Sequence, residues 1–427
     1  MGESLPRIHL PGCKSLSQRA LLLAAVAEGE SVLTGVSPCE DSTYLRAALR
    51  DLGAQFTTGK DGQLHVQGIG GPPRGEARID VGEAGSSLRF LLPLCAAGEG
   101  VFAITGTPRL MSRPHEPLLD CLRELGAQID PIQDEERPGF RVTAQGLPSG
   151  AWPVPSATSS QYLSGLAMAA AWSGEVALQL PEAVPSRGYF DLTLEALTAF
   201  CGAEAWSERA HAAGSELALH GRTPRATEFV VPGDPSGASF FLVALVLTGS
   251  AAELTPGWSN SHPEAGLLVQ LLETGLLERA GTQWHATGYD PCEALRIDVD
   301  PAPDAGPALA VLGSHLEQGL VMERVARLRA KESDRVRGVQ RLAALCGRDA
   351  QLNGDTLVLT GGGVDPLSAA EQEPFDPDQD HRMAMAAGVA RLLAPAIKVQ
   401  HPECVAKSFP DFWAEIAKLS PGASTAD

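Results

Sequence analysis

Apolar residues recur along this chain at helical spacing, and the helical run repeatedly stops at a glycine and gives way to a short alternating segment. The clearest copy is Leu45-Arg46-Ala47-Ala48-Leu49-Arg50-Asp51-Leu52-Gly53-Ala54-Gln55-Phe56. It returns as Leu118-Leu119-Asp120-Cys121-Leu122-Arg123-Glu124-Leu125-Gly126-Ala127-Gln128-Ile129. Weaker copies cover 192–205 with Gly202, 267–277 with Gly275 and 339–352 with Gly347, so the stop glycines lie 73, 76, 73 and 72 residues apart. A sixth helix is predicted over 383–393 without the glycine. A helix commonly ends on a residue with positive φ, which glycine adopts without a steric penalty. Each copy predicts a helix-and-sheet module whose apolar face needs neighbours, and six modules divide into three plus three. The pattern therefore predicts an α/β chain of two similar domains. Proline and glycine interrupt it at Leu10-Pro11-Gly12 and Val230-Val231-Pro232-Gly233, the expected crossings between them. The small, polar tail over 420–427 is expected to be disordered.

Length supports the division, because 427 residues exceed what one hydrophobic core usually organises. With 44% hydrophobic and 20% charged residues the chain can bury sizeable cores. Its net charge of -19 excludes a nucleic acid as the expected partner, since binding to phosphate backbones needs a basic surface. An anionic ligand must instead find a local cluster of the scarce Lys and Arg. The eight cysteines are dispersed, with no CxxC and no Cys/His pair at zinc spacing, and read as reduced thiols. No basic start followed by an apolar run opens the sequence, and its longest apolar stretches, 162–172 and 240–247, are too short to span a bilayer. A cytoplasmic protein without a membrane partner is expected.

Several segments pair a glycine or small-residue turn with the start of an apolar helix. Pro11-Gly12-Cys13-Lys14-Ser15-Leu16-Ser17-Gln18-Arg19 would offer free backbone N–H groups, a charge and donors to a phosphate or carboxylate, and it is not a P-loop. Glu83-Ala84-Gly85-Ser86 lets a backbone approach a ligand closely at Gly85. Arg109-Leu110-Met111-Ser112-Arg113-Pro114 carries two guanidiniums suited to a carboxylate. Ser159-Ser160-Gln161 heads a long apolar helix, where it would cap the helix or hold a phosphate. Within Arg324–Arg337 six positions are Lys or Arg, against the global balance. Asp380-His381-Arg382 and Lys407-Ser408 add further cations. Asp304 and Glu332 read as two unpaired acids. Any one of these segments alone would pass for a capped surface helix or a solvated charge run. Together they suit a site for two small polyanions with acid and base groups for proton transfer.

Taken in order, Pro-Gly-Cys-Lys-Ser with Arg19, Ser-Ser-Gln, Arg-Ala-Lys-Glu-Ser-Asp-Arg, Asp-His-Arg-Met-Ala-Met and Ala-Lys-Ser-Phe-Pro-Asp resemble the signatures of the 5-enolpyruvylshikimate-3-phosphate synthase family. The resemblance spans nearly the whole chain. It implies a two-domain inside-out α/β barrel of six βαβαββ repeats, three per domain, with residues 1–12 plus 232–427 forming one domain and 13–231 the other. It implies an active site in the interdomain cleft and transfer of the enolpyruvyl group of phosphoenolpyruvate to the 5-hydroxyl of shikimate 3-phosphate, by addition and elimination. By resemblance, shikimate 3-phosphate would meet Lys14, Ser15, Arg19, Ser159, Ser160, Gln161, Ser186, Asp304 and Lys331. Phosphoenolpyruvate would meet Lys14, Gly85, Arg113, Gln161, Arg335, Arg382 and Lys407. Asp304 would act as base and Glu332 as proton donor, with Lys14 assisting. No metal or organic cofactor is implied, and a monomer is expected. The chain departs from the family pattern at Glu83, where asparagine is frequent, at Arg327, and at Cys13, which replaces the usual serine. The sister transferase acting on UDP-N-acetylglucosamine typically has Lys-Asn in its first loop and a cysteine in its mobile loop, unlike Lys14-Ser15 and the loop from Arg109 to Pro114. A non-catalytic scaffold would be expected to lack the acid and base groups.

Overall fold

Strands of alternating burial pair into five four-stranded sheets in the computed structural model, which describes residues 5–155, 159–362 and 373–420. One sheet shows the rule for all five. Strand Arg74–Asp80 runs parallel to Glu99–Thr105, which pairs antiparallel with Gly139–Gln145, and Gln128–Ile132 closes the other edge antiparallel. Phe102, Ile104 and Val142 fill the buried face while their neighbours stay accessible, as a period-two strand requires. The sheets built on Glu30–Thr34, Glu175–Pro181, Ala251–Thr255 and Leu320–Glu323 repeat the same order and the same mixture of one parallel and two antiparallel pairings. None of the five closes on itself as a barrel.

The chain divides into two compact units, Met1–Cys13 with Pro232–Asp427, and Lys14–Val231. The second unit holds three of the described sheets and the first holds two, and 363–372 lie outside the described residues. The tail over 421–427 also lies outside them.

Two kinds of helix serve these sheets. Glu40–Asp51, Glu116–Glu124, Arg187–Cys201, Pro263–Glu273 and Arg335–Leu345 bury one face, and each is followed by its predicted stop glycine. Gly53, Gly126, Gly202, Gly275 and Gly347 all have positive φ, between 72° and 106°. Six other helices are buried on nearly all sides: Lys14–Val26, Gly85–Ala96 and Ser160–Ala169 in one unit, and Pro235–Thr248, Gly306–His315 and His381–Ala390 in the other. The last begins two residues earlier than predicted, because Asp380 accepts a hydrogen bond from the Arg382 N–H (2.9 Å) and caps it. All eight cysteines are free thiols, and no described helix is long and apolar enough to cross a membrane.

Candidate active site

The six buried helices share a feature that their sequences explain. None carries an acidic residue in its first turn, although the chain as a whole is strongly acidic. The unsatisfied N–H groups and positive dipole end of such helices favour anions. Eight of the fifteen candidate site residues lie at or beside one of these N-termini: Lys14 and Ser15, Gly85, Ser159 to Gln161, Asp304, and Arg382.

In the discontinuous unit the acids and cations form one network. Arg335 is wholly buried at the start of its helix and donates from Nη1 to Asp304 Oδ1 (2.8 Å), from Nη2 to Glu332 Oε2 (2.9 Å) and from Nε to Asp380 Oδ2 (2.8 Å). Asp304 and Glu332, read in the sequence as unpaired, are therefore both paired. The sequence could not show it, because Asp304 and Arg335 are 31 residues apart. Lys331 Nζ lies 3.3 Å from Asp304 Oδ1, and both side chains stay about one-fifth exposed. Burial works against the charge on Arg335, and Asp380, Glu332 and Asp304 more than offset it, so the guanidinium stays charged. Burial pushes the Lys331 ammonium below the usual lysine value, against the pull of Asp304.

Arg382 is also buried, with Nη2 3.8 Å from Asp234 Oδ2 and 4.0 Å from Asp304 Oδ2. Its Nε and Nη1 have no hydrogen-bond partner among the described residues. A buried guanidinium with idle donors at a helix N-terminus is suited to a carboxylate or phosphate. Lys407 is buried at the end of the 3-10 turn Pro402–Lys407. The basic stretch before Arg335 is not one amphipathic helix. It leaves the strand Leu320–Glu323, makes the 3-10 turn Ala326–Ala330 and enters the helix only at Arg335, with Arg324 paired to Asp298, Arg327 to Asp300 and Arg329 to Asp334.

In the continuous unit, Lys14 Nζ meets Asp41 Oδ2 at 3.1 Å. Arg19 is buried and donates to Ser15 O (2.6 Å), Thr193 Oγ1 (2.7 Å), Tyr189 O (2.8 Å) and Ser164 Oγ (3.1 Å), which ties the first helix to two others. Ser159 caps its helix by accepting from the Gln161 N–H (3.4 Å), and Gln161 Oε1 accepts from Arg89 Nη1 (2.5 Å). The Gln161 amide is thereby oriented with its NH₂ turned from Arg89. Gly85 and Arg113 come together: a Cβ on Gly85 would sit 3.0 Å from Arg113 Nη1. The loop bearing Arg113 is pinned by His115, whose Nε2 lies 2.9 Å from Leu110 O, and burial holds His115 down at about 4, so it is neutral at pH 7 and donates. Ser186 precedes the helix Arg187–Cys201 with φ 51°, a left-handed conformation that is costly for a non-glycine residue.

Asp41, Arg89, Asp234 and Asp380 were not predicted as site residues. Asp380 had a legible signal, an aspartate directly before an apolar helix. Asp41 and Arg89 had none, since first-turn acids and helix arginines are common and their partners lie far away in sequence.

A family model of EPSP synthase (3-phosphoshikimate 1-carboxyvinyltransferase) matches residues 6–416. The chain belongs to the EPSP synthase family. Relatives named 3-phosphoshikimate 1-carboxyvinyltransferase from Sulfurovum sp. (strain NBC37-1) and Vibrio vulnificus (strain YJ016) are each 31% identical over 97% of this chain and 96% of theirs. Among solved structures, an EPSP synthase from Acinetobacter baumannii superposes with a TM-score of 0.76 at 27% identity, covering 98% of this chain and 96% of that one. The enolpyruvyl transferase NikO from Streptomyces tendae, at 18% identity and a TM-score of 0.72 over 98% of this chain and 96% of its own, shares the fold. The chain is thus a mixed α/β enzyme of the shikimate pathway that transfers an enolpyruvyl group from phosphoenolpyruvate to shikimate 3-phosphate.

Proposed function

We propose that this transfer proceeds by addition and elimination, with Asp304 and Glu332 as its proton-transfer groups. The observation that carries the reading is the Arg335 network, which holds these two carboxylates beside Lys331 while leaving both side chains partly exposed. Glu332, assisted by Lys14, delivers a proton to the methylene carbon of phosphoenolpyruvate. The adjoining carbon becomes electrophilic and is attacked by the 5-hydroxyl, whose proton passes to Asp304. From the resulting tetrahedral adduct, phosphate leaves and the new methyl group gives up a proton, which regenerates the double bond in the product ether.

Lys14, Ser15, Ser159, Ser160, Gln161, Ser186, Asp304 and Lys331 are assigned to shikimate 3-phosphate. Lys14, Gly85, Arg113, Gln161, Arg382 and Lys407 are assigned to phosphoenolpyruvate. The idle donors of Arg382 and the contact of Arg113 with Gly85 support the second set. Arg19 is assigned with the first set and Arg335 with the second, each also holding neighbouring groups of the protein. The reading also takes each unit as the family's inside-out arrangement of three repeats around buried helices, and the enzyme as a cytoplasmic monomer.

The test measures phosphate release from phosphoenolpyruvate with and without shikimate 3-phosphate, with mass spectrometry of the product, for the wild type and for folded Asp304→Ala and Glu332→Ala variants. Release that depends on shikimate 3-phosphate, with a product heavier by one enolpyruvyl group, is the expected result for the wild type. Undiminished turnover in both variants would overturn the proton-transfer roles.

A further inference from the structure

Arg113 sits in a short loop whose backbone is fixed from both sides. The single helical turn Pro108–Met111 opens it, capped by Thr107, whose Oγ1 accepts from the Leu110 N–H (3.3 Å). Leu110 O then accepts twice, from the Arg113 N–H (3.1 Å) and from His115 Nε2 (2.9 Å). On the far side of Arg113, Pro114 O also accepts twice, from the Tyr162 hydroxyl (2.6 Å) and from Arg89 Nη2 (3.3 Å). The two carbonyls that bracket Arg113 are thus held by His115 and Tyr162, which are both buried. Neither residue is among the candidate site residues, and neither has a step in the proposed transfer.

Tyr162 stands on the helix Ser160–Ala169, directly after Gln161. Arg89 lies over its ring, 5.4 Å from the centroid, and donates from Nη1 to Gln161 Oε1 (2.5 Å). One guanidinium therefore meets the Gln161 amide, the tyrosine and the arginine loop. The base beneath them is close-packed, because a Cβ on Gly165 would come within 2.4 Å of Arg89 O, so the helices Gly85–Ala96 and Ser160–Ala169 approach there backbone to backbone. Burial raises the Tyr162 pKa, so its hydroxyl keeps its proton and donates. His115 packs edge-on against Phe140 with ring centroids 6.1 Å apart. An apolar side chain could fill that space, and what the imidazole adds is the N–H to Leu110 O. We propose that Tyr162 and His115 are positioning residues for phosphoenolpyruvate, holding the backbone on either side of Arg113 so that its guanidinium meets the substrate carboxylate in register with Gln161. This inference rests on the assignment of Arg113 to phosphoenolpyruvate. Recognition of a carboxylate by a guanidinium fork depends on placement, and a misplacement of about 1 Å can cost about 100-fold.

The test compares Tyr162→Phe, His115→Leu, His115→Gln and Arg113→Ala in the full-length protein. It reads KM for phosphoenolpyruvate at saturating shikimate 3-phosphate, kcat, and the Kd of shikimate 3-phosphate alone by calorimetry. Tyr162→Phe deletes one hydroxyl and should raise KM for phosphoenolpyruvate about 3–10-fold, the range that one neutral hydrogen bond supports. Its kcat should change far less, because the lost placement weakens substrate and transition state alike, and the Kd should stay as in the wild type. His115→Leu should behave in the same way, and His115→Gln, which keeps a side-chain N–H, should recover part of the loss. In the Arg113→Ala background Tyr162→Phe should change KM no further. An unchanged KM in Arg113→Ala would overturn the assignment of Arg113, and this inference with it. If Arg113→Ala raises KM while Tyr162→Phe and His115→Leu leave it alone, or if Tyr162→Phe has the same effect in both backgrounds, the inference falls and the assignment of Arg113 stands. A parallel loss of shikimate 3-phosphate affinity in Tyr162→Phe and His115→Leu would also overturn it, by reducing both residues to general supports of the fold. Should Tyr162→Phe fold poorly, the His115 pair reads the other anchor independently.

Discussion

Arg335 has no solvent exposure and serves three carboxylates, so its replacement is expected to act on stability and on catalysis separately. Arg335→Met strands the buried Asp380 without its cation, and breaking a buried pair of this kind costs about 3–5 kcal/mol, readable in urea unfolding. Arg335→Lys keeps a charge but lacks the guanidinium fork that reaches three acceptors at once. That variant is expected to fold, with kcat falling more than KM rises in the transfer assay. Lys331 offers a test by pH. Burial lowers its pKa, so the free enzyme loses this cation at a pH below the ordinary lysine range. The alkaline limb of kcat/KM for shikimate 3-phosphate should therefore fall below that range, and Lys331→Arg should move it upward. Why the sequence hid these couplings is plain at this scale. Residue types announce cations and acids, but the pairing of Asp304 with Arg335, or of Lys14 with Asp41, exists only through space.

The helix that ends on glycine was legible because its cause is local: an apolar stripe, a stop and a left-handed turn lie within a dozen residues. Gly126 permits a clean measurement of that turn. Its φ is 99° and a Cβ there would meet nothing within 4 Å, so Gly126→Ala should cost about 1–2 kcal/mol through conformation alone, visible as a lower urea midpoint with unchanged slope. The helix starts that carry the site were legible for the same reason, since glycine turns, serines and aspartates precede apolar runs in the sequence itself. Strand partnership was not. Glu228–Val230 runs parallel to Glu30–Thr34, and no local pattern names a partner so far away. The full burial of helices such as His381–Ala390 was likewise indistinct, because a continuous apolar run reads alike for a central helix and for one with a single covered face.

At the scale of the whole chain, one unit is inserted into the other through two adjacent crossings. Because Cys13 N and Pro232 O are only 2.7 Å apart, residues 14–231 can be replaced by a short glycine-containing turn without stretching the host. The resulting protein is expected to unfold in a single cooperative thermal transition, followed by circular dichroism, and to have no transferase activity. The opening strand, Arg7–His9, has its neighbour in Ala251–Thr255, and the His9 N–H donates to Glu415, 406 residues further on. On a ribosome adding about 5–20 residues per second, that partner appears roughly 20–80 s after the strand itself. The inserted unit has all its own strands long before then. Nascent chains should therefore carry a finished guest inside an unfinished host, with residues 7–9 waiting for partners that are made only after the guest.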